Sequence, residues 1–442
     1  MRKSSPPFRK KARIPGSGAL AAPKRPTSDD PASRQASALM TAQEAVQHLG
    51  IKPATLYAYV SRGLLRSVTM RGTRERRYPA DEVQHLKRLR YAGRRTNAPP
   101  AAFDVLTPVL DSAICLVERG RLYYRGIDAS EFADRADLEQ TARLLWQIDS
   151  PQPFEGSALL GQLRGWLKHF SLTLSPMDRA RSVLLELAMR DLGTFDSSPE
   201  SLARTGGRLV RALATAICGA APTNAAIHTQ LAEAWDVDRR GADLIRRCLI
   251  LAADHELNPS TYVARCVAST AASPYAAVLA ALSALSGPRH GGQTTYVEGL
   301  LRELEDSQDI MLVMMERQQR GEIPGYGAER IPGFGHPLYP NGDPRAANIL
   351  IALQESRLLR AGSPILNTAQ KISDQIGRAP NFDFALAAVS HALKLPRGSG
   401  LGIWLVGRTV GWIAHVMEQY ASGALIRPRA RYIGAPAPEK SL

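Results

Sequence analysis

The chain has 442 residues, enough to bury a large core, and its 22% charged and 44% hydrophobic composition is that of a globular protein. No apolar run is long enough to span a bilayer, and four scattered cysteines (Cys115, Cys218, Cys248, Cys266) without a CxxC pair argue against a disulfide or zinc framework and for reduced thiols. The net charge of +15 sits in the first 99 residues, which hold 21 Lys/Arg against 6 Asp/Glu, while the remaining 343 hold 35 of each: a basic head on a neutral body.

Residues 1–38 carry six prolines, scattered Lys/Arg and Ser, and no apolar period, so they read as a disordered basic tail. No apolar h-region marks a secretory signal. The first acidic residue is Asp29, a trait of mitochondrial transit peptides, but prolines at 6, 7, 15, 23 and 26 oppose the amphipathic helix such a peptide needs. A cytoplasmic protein is expected.

Residues 39–95 read as one small module. Thr41-Ala42-Gln43-Glu44 is a capping box opening a helix that Gly50 stops. Pro53 suits the first turn of a second helix, closed by Gly63. The segment LLRSVTMRGTRERRYP turns at Arg71-Gly72-Thr73 like a two-stranded wing, and Asp81 caps a third helix. The order resembles the winged helix-turn-helix of MerR- and excisionase-type DNA-binding proteins. By that resemblance, Thr55, Tyr57, Tyr59 and Arg62 face the major groove or its phosphates, and Arg71, Arg74, Arg76 and Arg77 reach phosphates or the minor groove. The competing reading is a protein–protein module with solvated arginines. Residues 96–104, with Asn97-Ala98-Pro99-Pro100, form a linker.

The body, 105–442, opens with ICLVERGRLYYRGIDASEFADRADLEQTARLLW, a β-ribbon followed by helices. Segments such as RSVLLELAMRDL, GRLVRALATAI, RRCLILAAD, YVARCVAST, NILIALQES and GWIAHVMEQY then repeat apolar residues at three- and four-residue spacing. Alternating strand runs are nearly absent, so an all-α fold is expected. The alanine-packed helix from Ser273-Pro274 to Leu285, ended by Gly287, is expected deep in the core. No 20–50-residue repeat, P-loop, GxGxxG fingerprint or GxSxG elbow is present.

Three stretches of the body carry chemistry. Ile331–Ala346, IPGFGHPLYPNGDPRA, sets His336 in a loop whose glycines admit unusual backbone angles and whose prolines forbid a helix; alone it could be a surface turn. Arg345 follows as a fork-shaped cation suited to a carboxylate. His290, in SGPRHGG, lies between two helices, where the following N-terminus would depress its pKa and let a neutral imidazole donate to a developing enolate; the ordinary alternative is a packed histidine. Asp383 opens the helix DFALAAVSHAL, where an N-cap is the ordinary reading and a partly dry catalytic base the sharper one. His255 precedes Glu256 without metal-ligand spacing, so no metal site is expected. Arg408, Arg427 and Arg429 are cations of a kind usually solvated or locally paired.

Together these stretches resemble the citrate synthase family. SGPRHGG is similar to its GP-x-HGG, GFGHPLYPNGDPRA to its GFGH…DPRA, and NFDF to its N-V-D-F/Y. DHELNPST, GRTVGWIAHVMEQ, RPRARYIG and LYYRGIDASEFA match in the family's order. The resemblance implies Asp383 as the base on the acetyl-CoA methyl, His290 as the enol stabiliser, and His336 as the residue that polarises and protonates the oxaloacetate ketone. It implies His255, Arg345, Arg408 and Arg427 as carboxylate binders, Arg427 reaching in from the other subunit of a homodimer. The implied fold is an all-α, two-domain one, with a large subdomain (105–290 and 396–442) and a small one (291–395) that closes over the substrates, using no metal or cofactor and meeting no membrane. Departures are Pro337 for a common Arg, Gln293-Thr294-Thr295 for Ala-Asn-Glu, and Ala252 for a His. The leading expectation is a synthase of citrate with a DNA-binding head. Alternatives are 2-methylcitrate synthesis, citryl-CoA cleavage, or a regulator whose body only senses metabolites.

Overall fold

The computed structural model describes residues 39–51, 53–61, 65–69, 76–80, 82–83, 110–149, 174–191, 196–307, 310–321, 331–359 and 364–428, with single positions at 154, 161, 164, 165 and 434. Two compact units are present, Met1–Val105 and Leu106–Leu442. The expected basic tail, the linker and most of the third head helix lie outside the described residues.

In the first unit, strand β1 (Leu39–Thr41) leads into α1 (Ala42–Leu49), followed by α2 (Pro53–Ser61), β2 (Val68–Thr69) and β3 (Arg76–Pro79). The Thr41 hydroxyl accepts from the Glu44 N–H, the Glu44 carboxylate accepts in return from the Thr41 N–H, and Gly50 ends α1 at φ 59°. The expected two-stranded wing is a three-stranded sheet, β1-β3-β2, because Leu39–Thr41 also pairs antiparallel with Arg77–Pro79. Ala45, Leu49, Leu56, Leu65, Tyr78 and Val83 close a small separate core.

The second unit begins with a three-stranded meander, β4 (Cys115–Glu118), β5 (Arg121–Tyr124) and β6 (Ile127–Asp128), and is helical thereafter. Short α3 (Ala129–Ala133) and α4 (Leu138–Trp146) lead to α5 (Pro176–Arg190), α6 (Pro199–Cys218), α7 (Ile227–Ala234), α8 (Arg239–Ala252), α9 (Pro259–Ala268) and α10 (Pro274–Leu285). Then come α11 (Gly292–Ser307), α12 (Ile310–Gln319), α13 (Pro344–Glu355), α14 (Pro364–Ile376), α15 (Phe382–Ala392) and α16 (Ser399–Ser422). Several begin with Pro just inside a Ser, Asn or Asp cap, as at Ser175, Ser198, Asn258, Ser273 and Asp343, a pattern that fixes each start.

Helix α16 is the axis: every residue from Ser399 to Val416 is buried, and it packs against α4, α6, α8, α9, α10 and α15. α10 buries Tyr275, Ala277, Val278, Ala281, Leu282 and Leu285 in the core, while Ala276, Leu279, Ala280 and Ala284 are half-buried and Ser283 is exposed. The helix is apolar nearly all round, and within one chain its second face is only partly covered. Among the described residues no helix is long and apolar enough to cross a membrane, and all four cysteines are free.

Candidate active site

Helix α8 delivers the first of the site's groups. A side chain on Gly407 would strike the Leu249 carbonyl, and one on Gly411 the Ala253 carbonyl, so only glycines let α16 lie against the end of α8. That approach sets Arg408 beside the end of α8, where its Nε donates to the Ala252 carbonyl at 2.6 Å, and brings Asp254 and His255 to the same place. Both Nη groups of Arg408 are buried and lack a partner among the described residues. Such donors are costly unless something anionic arrives. Asp254, fully buried, is the standing counter-charge; burial opposes its ionisation, but His415 and Arg408 hold its pKa down.

The second group comes from the loop before α13. Gly333 (φ 89°) and Gly335 (φ 72°) turn it back onto the chain before α15: the Gly335 N–H donates to the Ala379 carbonyl and the Asn381 N–H to the Gly333 carbonyl, both at 2.8 Å. Asn381 Nδ2 donates to the Gly335 carbonyl, while its Oδ1 accepts from the Asp383 and Phe384 N–H groups. Asn381 is therefore the cap of α15, and Asp383, expected to open the helix, is its second residue, in the first turn, with its carboxylate released from capping. Asp343 ties the loop to the same helix. Its carboxylate takes Arg345 Nε at 2.9 Å and Nη2 at 2.7 Å, and also accepts the Phe382 N–H. The Arg345 fork is thus already engaged by a buried carboxylate.

His336 accepts the Leu338 N–H on Nδ1 at 3.2 Å, so its proton resides on Nε2. Its ring stands edge-on to His255 with centroids 5.0 Å apart, and His255 Nε2 meets Tyr339 Oη at 2.9 Å. The Arg345 guanidinium stacks 4.6 Å from the Phe382 ring; Phe382 packs on Trp404, and Trp404 packs edge-on to His290, each at 5.5 Å. His290 Nε2 lies 2.9 Å from the Ser260 hydroxyl. Thr294 donates its hydroxyl to Asp383 Oδ1 at 2.7 Å.

The electrostatics divide these groups cleanly. Burial, with Arg345 beside it, depresses His336 to about 4; burial, with Arg408, depresses His290 to about 3. His255 is held well below the ordinary histidine range by burial and by Arg345, His336, Arg408 and His290. All three imidazoles are neutral at neutral pH. For His290 the cause is a dry site and a nearby cation, where the sequence pointed to the following helix N-terminus. Asp383 moves the other way: burial pushes it up to about 7, against the Thr294 hydroxyl and Arg345. A neutral donor pair opposite a carboxyl poised near neutrality is the arrangement for moving a proton from carbon to oxygen.

Of the seven predicted body residues, His255, His290, His336, Arg345, Arg408 and Asp383 meet in one neighbourhood, with His255, Arg345, Arg408 and Asp383 buried and His290 and His336 half-buried. Arg427 lies exposed beyond α16, outside it. In the head, Tyr57 is 54% exposed on α2 and Thr55 half-buried, while Arg76 is exposed and Arg77 half-buried on β3. Arg62, Arg71 and Arg74 lie outside the described residues, as does Arg429. The sequence reading did not pick out Ser260, Tyr339, Asp343 or Trp404, and noted Thr294 only as a departure from family pattern. Tyr339 and Asp343 lie within the quoted loop and were within reach; Ser260, Trp404 and Thr294 gain meaning only from folding. Among the described residues no group of His, Cys, Asp or Glu is placed to hold a metal ion.

Known proteins match both units. The profile "Citrate synthase, C-terminal domain" covers residues 105–429, and "Helix-turn-helix domain" covers residues 39–88. Citrate synthase 2 of Bacillus subtilis is 30% identical over 355 residues, 73% of this chain and 93% of that one. 2-Methylcitrate synthase 1 of Corynebacterium glutamicum is 27% identical over 72% of this chain and 90% of that one. The crystal structure of citrate synthase from Thermotoga maritima superposes with a TM-score of 0.60 at 26% identity, covering 75% of this chain and 94% of that one. The Thermoplasma acidophilum citrate synthase, in ternary complex with carboxymethyl coenzyme A and oxaloacetate, shares the fold at 21% identity and a TM-score of 0.57, over 76% of this chain and 96% of that one.

Proposed function

Because the chain belongs to the citrate synthase family and is an acyltransferase of that type, we propose that it condenses acetyl-CoA with oxaloacetate to give citrate and CoA, and that its head binds DNA. The observation that carries the reading is the single neighbourhood in which a carboxyl poised near neutrality, two neutral imidazoles and a buried guanidinium whose Nη groups have no partner among the described residues meet. In this reading Arg408, Arg345 and His255 hold the oxaloacetate carboxylates, Arg408 through its two unpaired Nη groups. Asp383 takes a proton from the thioester methyl, and His290 donates a hydrogen bond to the enol oxygen that forms. The Ser260 hydroxyl donates to Asn258 Oδ1 at 2.8 Å, so here His290 Nε2 carries the proton and donates to the Ser260 oxygen; donation from Nδ1 to the enol oxygen requires that hydroxyl to turn to Nε2 when the substrate arrives. The methyl carbon bonds to the ketone carbon, the ketone oxygen takes the His336 Nε2 proton, and water then cleaves the citryl thioester.

Closure of 291–395 against the rest of the body would exclude water during the enol step. A homodimer is part of the reading: the half-covered face of α10 suits a second copy, and Arg427, exposed in one chain, would complete the partner's site. The relatives also include 2-methylcitrate synthases, so the acyl donor is the open variable.

The test is CoA release from acetyl-, propionyl- and citryl-CoA. Release from acetyl-CoA that requires oxaloacetate, exceeds that from propionyl-CoA and vanishes in Asp383→Asn is expected; no release from any of the three would leave a sensor. The head's exposed Arg76 and Tyr57 and its net charge support duplex binding. Duplex affinity unchanged by deleting residues 1–95 would refute it.

A further inference from the structure

Resting on the condensation reading, we propose that Thr294 is a positioning residue that fixes which oxygen of Asp383 acts as the base and the pH at which it does so. The Thr294 hydroxyl donates to Asp383 Oδ1 at 2.7 Å, with Thr294 itself fully buried. One hydroxyl proton serves one acceptor, so Oδ1 is occupied and Oδ2 is the oxygen that takes the proton. Packing holds this rotamer: the Thr294 methyl faces Gly400, where a built Cβ would come within 3.1 Å of it. Thr294 lies in the first turn of α11, and His290 in the turn that leads into it, with the Gln293 N–H donating to the His290 carbonyl and the Thr294 N–H to the Gly291 carbonyl, both at 3.0 Å. The enol-stabilising imidazole and the hydroxyl that orients the base are therefore four residues apart on one continuous stretch of backbone.

A donor to the anionic form favours that form, and in a dry site it does so strongly. Burial raises Asp383, and the Thr294 hydroxyl, followed by Arg345, lowers it again, so that it stands at about 7 and a useful fraction is ionised at neutral pH. Two charged groups act on Asp383, Arg345 and Asp343 at the start of α13, and they oppose each other. On the neighbouring helices Glu298, one turn along α11, is held by the Gly398 and Gly400 N–H groups, and Arg408 of α16 donates its Nε to the Ala252 carbonyl. Helix α8 meets the far end of α15, with Leu393 against Gly241. Thr294 is the neutral donor that substitution can remove without changing any of these charges.

The experiment compares full-length wild type, Thr294→Val and Thr294→Ser over pH, reading kcat and kcat/KM by CoA release, and titrating the Asp383 carboxyl stretch by infrared difference against Asp383→Asn. In the Val variant the acid limb and the infrared midpoint should move up by roughly one to two pH units, the range expected for losing a hydrogen bond to a charged group. Activity should return at higher pH, KM for oxaloacetate should hold, and Ser should restore the wild-type profile. A Val profile that falls uniformly with no shift would overturn the proposal while leaving the condensation reading intact. If wild type releases no CoA, that reading fails by itself, and the infrared midpoint alone decides the Thr294 role. Should the Val variant not fold, Thr294→Ala removes the same hydroxyl without a new methyl and is judged by the same shift.

Discussion

The head and the body put charge to opposite use. The head's excess of Lys/Arg gathers in under a hundred residues, and where described it stands at the surface, as Arg76 does on β3. The body is neutral in sum, yet Arg345 and Arg408 are among its most deeply buried side chains. A surface cation is worth little singly and acts by number, through counterions. A buried one is worth a great deal singly and acts by what it is left to bind. Function in the head is therefore expected to fade gradually as residues are changed, and function in the body to fail at single positions.

The sharpest form of that contrast is Asp383→Asn. In the proposed reading it removes the base and leaves the oxaloacetate groups in place, so turnover should drop by roughly 10²–10⁴ while oxaloacetate binding survives. In wild type the rate should rise with pH through about 7, because Asp383 must lose its proton to act, while His336 and His290, with pKa values near 4 and 3, stay neutral across that range. A flat rate from pH 5 to 8 would remove Asp383 from the role.

Arg408→Met comes next, and its two readouts should part company. With a substrate carboxylate left unmatched, KM for oxaloacetate should rise by roughly a hundredfold or more. The free protein sheds two buried Nη groups that have no partner among the described residues, but it also loses the cation beside Asp254, which His415 Nε2 still meets at 3.1 Å, so its melting temperature should change little. Thermal melting with and without oxaloacetate separates the two effects, and a large loss of stability without ligand would make Arg408 a structural residue.

These two predictions rest on different degrees of legibility. Asp383, His290, His336 and the arginines could be picked out because the short segments around them resemble those of a known family; by their residues alone each fitted a cap, a packed histidine, a surface turn or a solvated cation as well. The sequence could not say that Asn381 caps α15, because Asn and Asp both cap well and stand two residues apart. Nor could it say that Asp343 already holds Arg345: the pair are near neighbours, and only burial makes the bond obligatory. The hydroxyl on Asp383 comes from a helix 89 residues earlier, a distance at which no periodicity speaks. In the head, the Thr41–Glu44 box was readable because both bonds are local. Strand β1 was not, since three residues carry no alternation and their pairing is set by β3.

A middle-sized effect should come from Trp404, whose ring lies against both His290 and Phe382. If the acyl group sits against this indole, Trp404→Phe opens room for one more carbon. The ratio of kcat/KM for propionyl-CoA over acetyl-CoA should then rise by about tenfold, the low end of what one methylene is worth in a pocket. An unchanged ratio would place the acyl chain elsewhere.

The smallest single effects belong to the head. Arg76→Ala and Arg77→Ala should each weaken duplex binding by no more than about tenfold and flatten the slope of log affinity against log salt by about one unit, as the loss of one phosphate contact does. Arg77 is half-buried and its strand pairs with both β1 and β2, so its removal should also loosen the sheet slightly; Arg76, exposed at the strand's start, should affect binding alone. Neither change should alter CoA release, since the acyl-transfer groups all lie in the body. If either substitution lowers turnover, the two units are energetically coupled. The gradual loss expected in the head would then be transmitted to a site expected otherwise to fail at single positions.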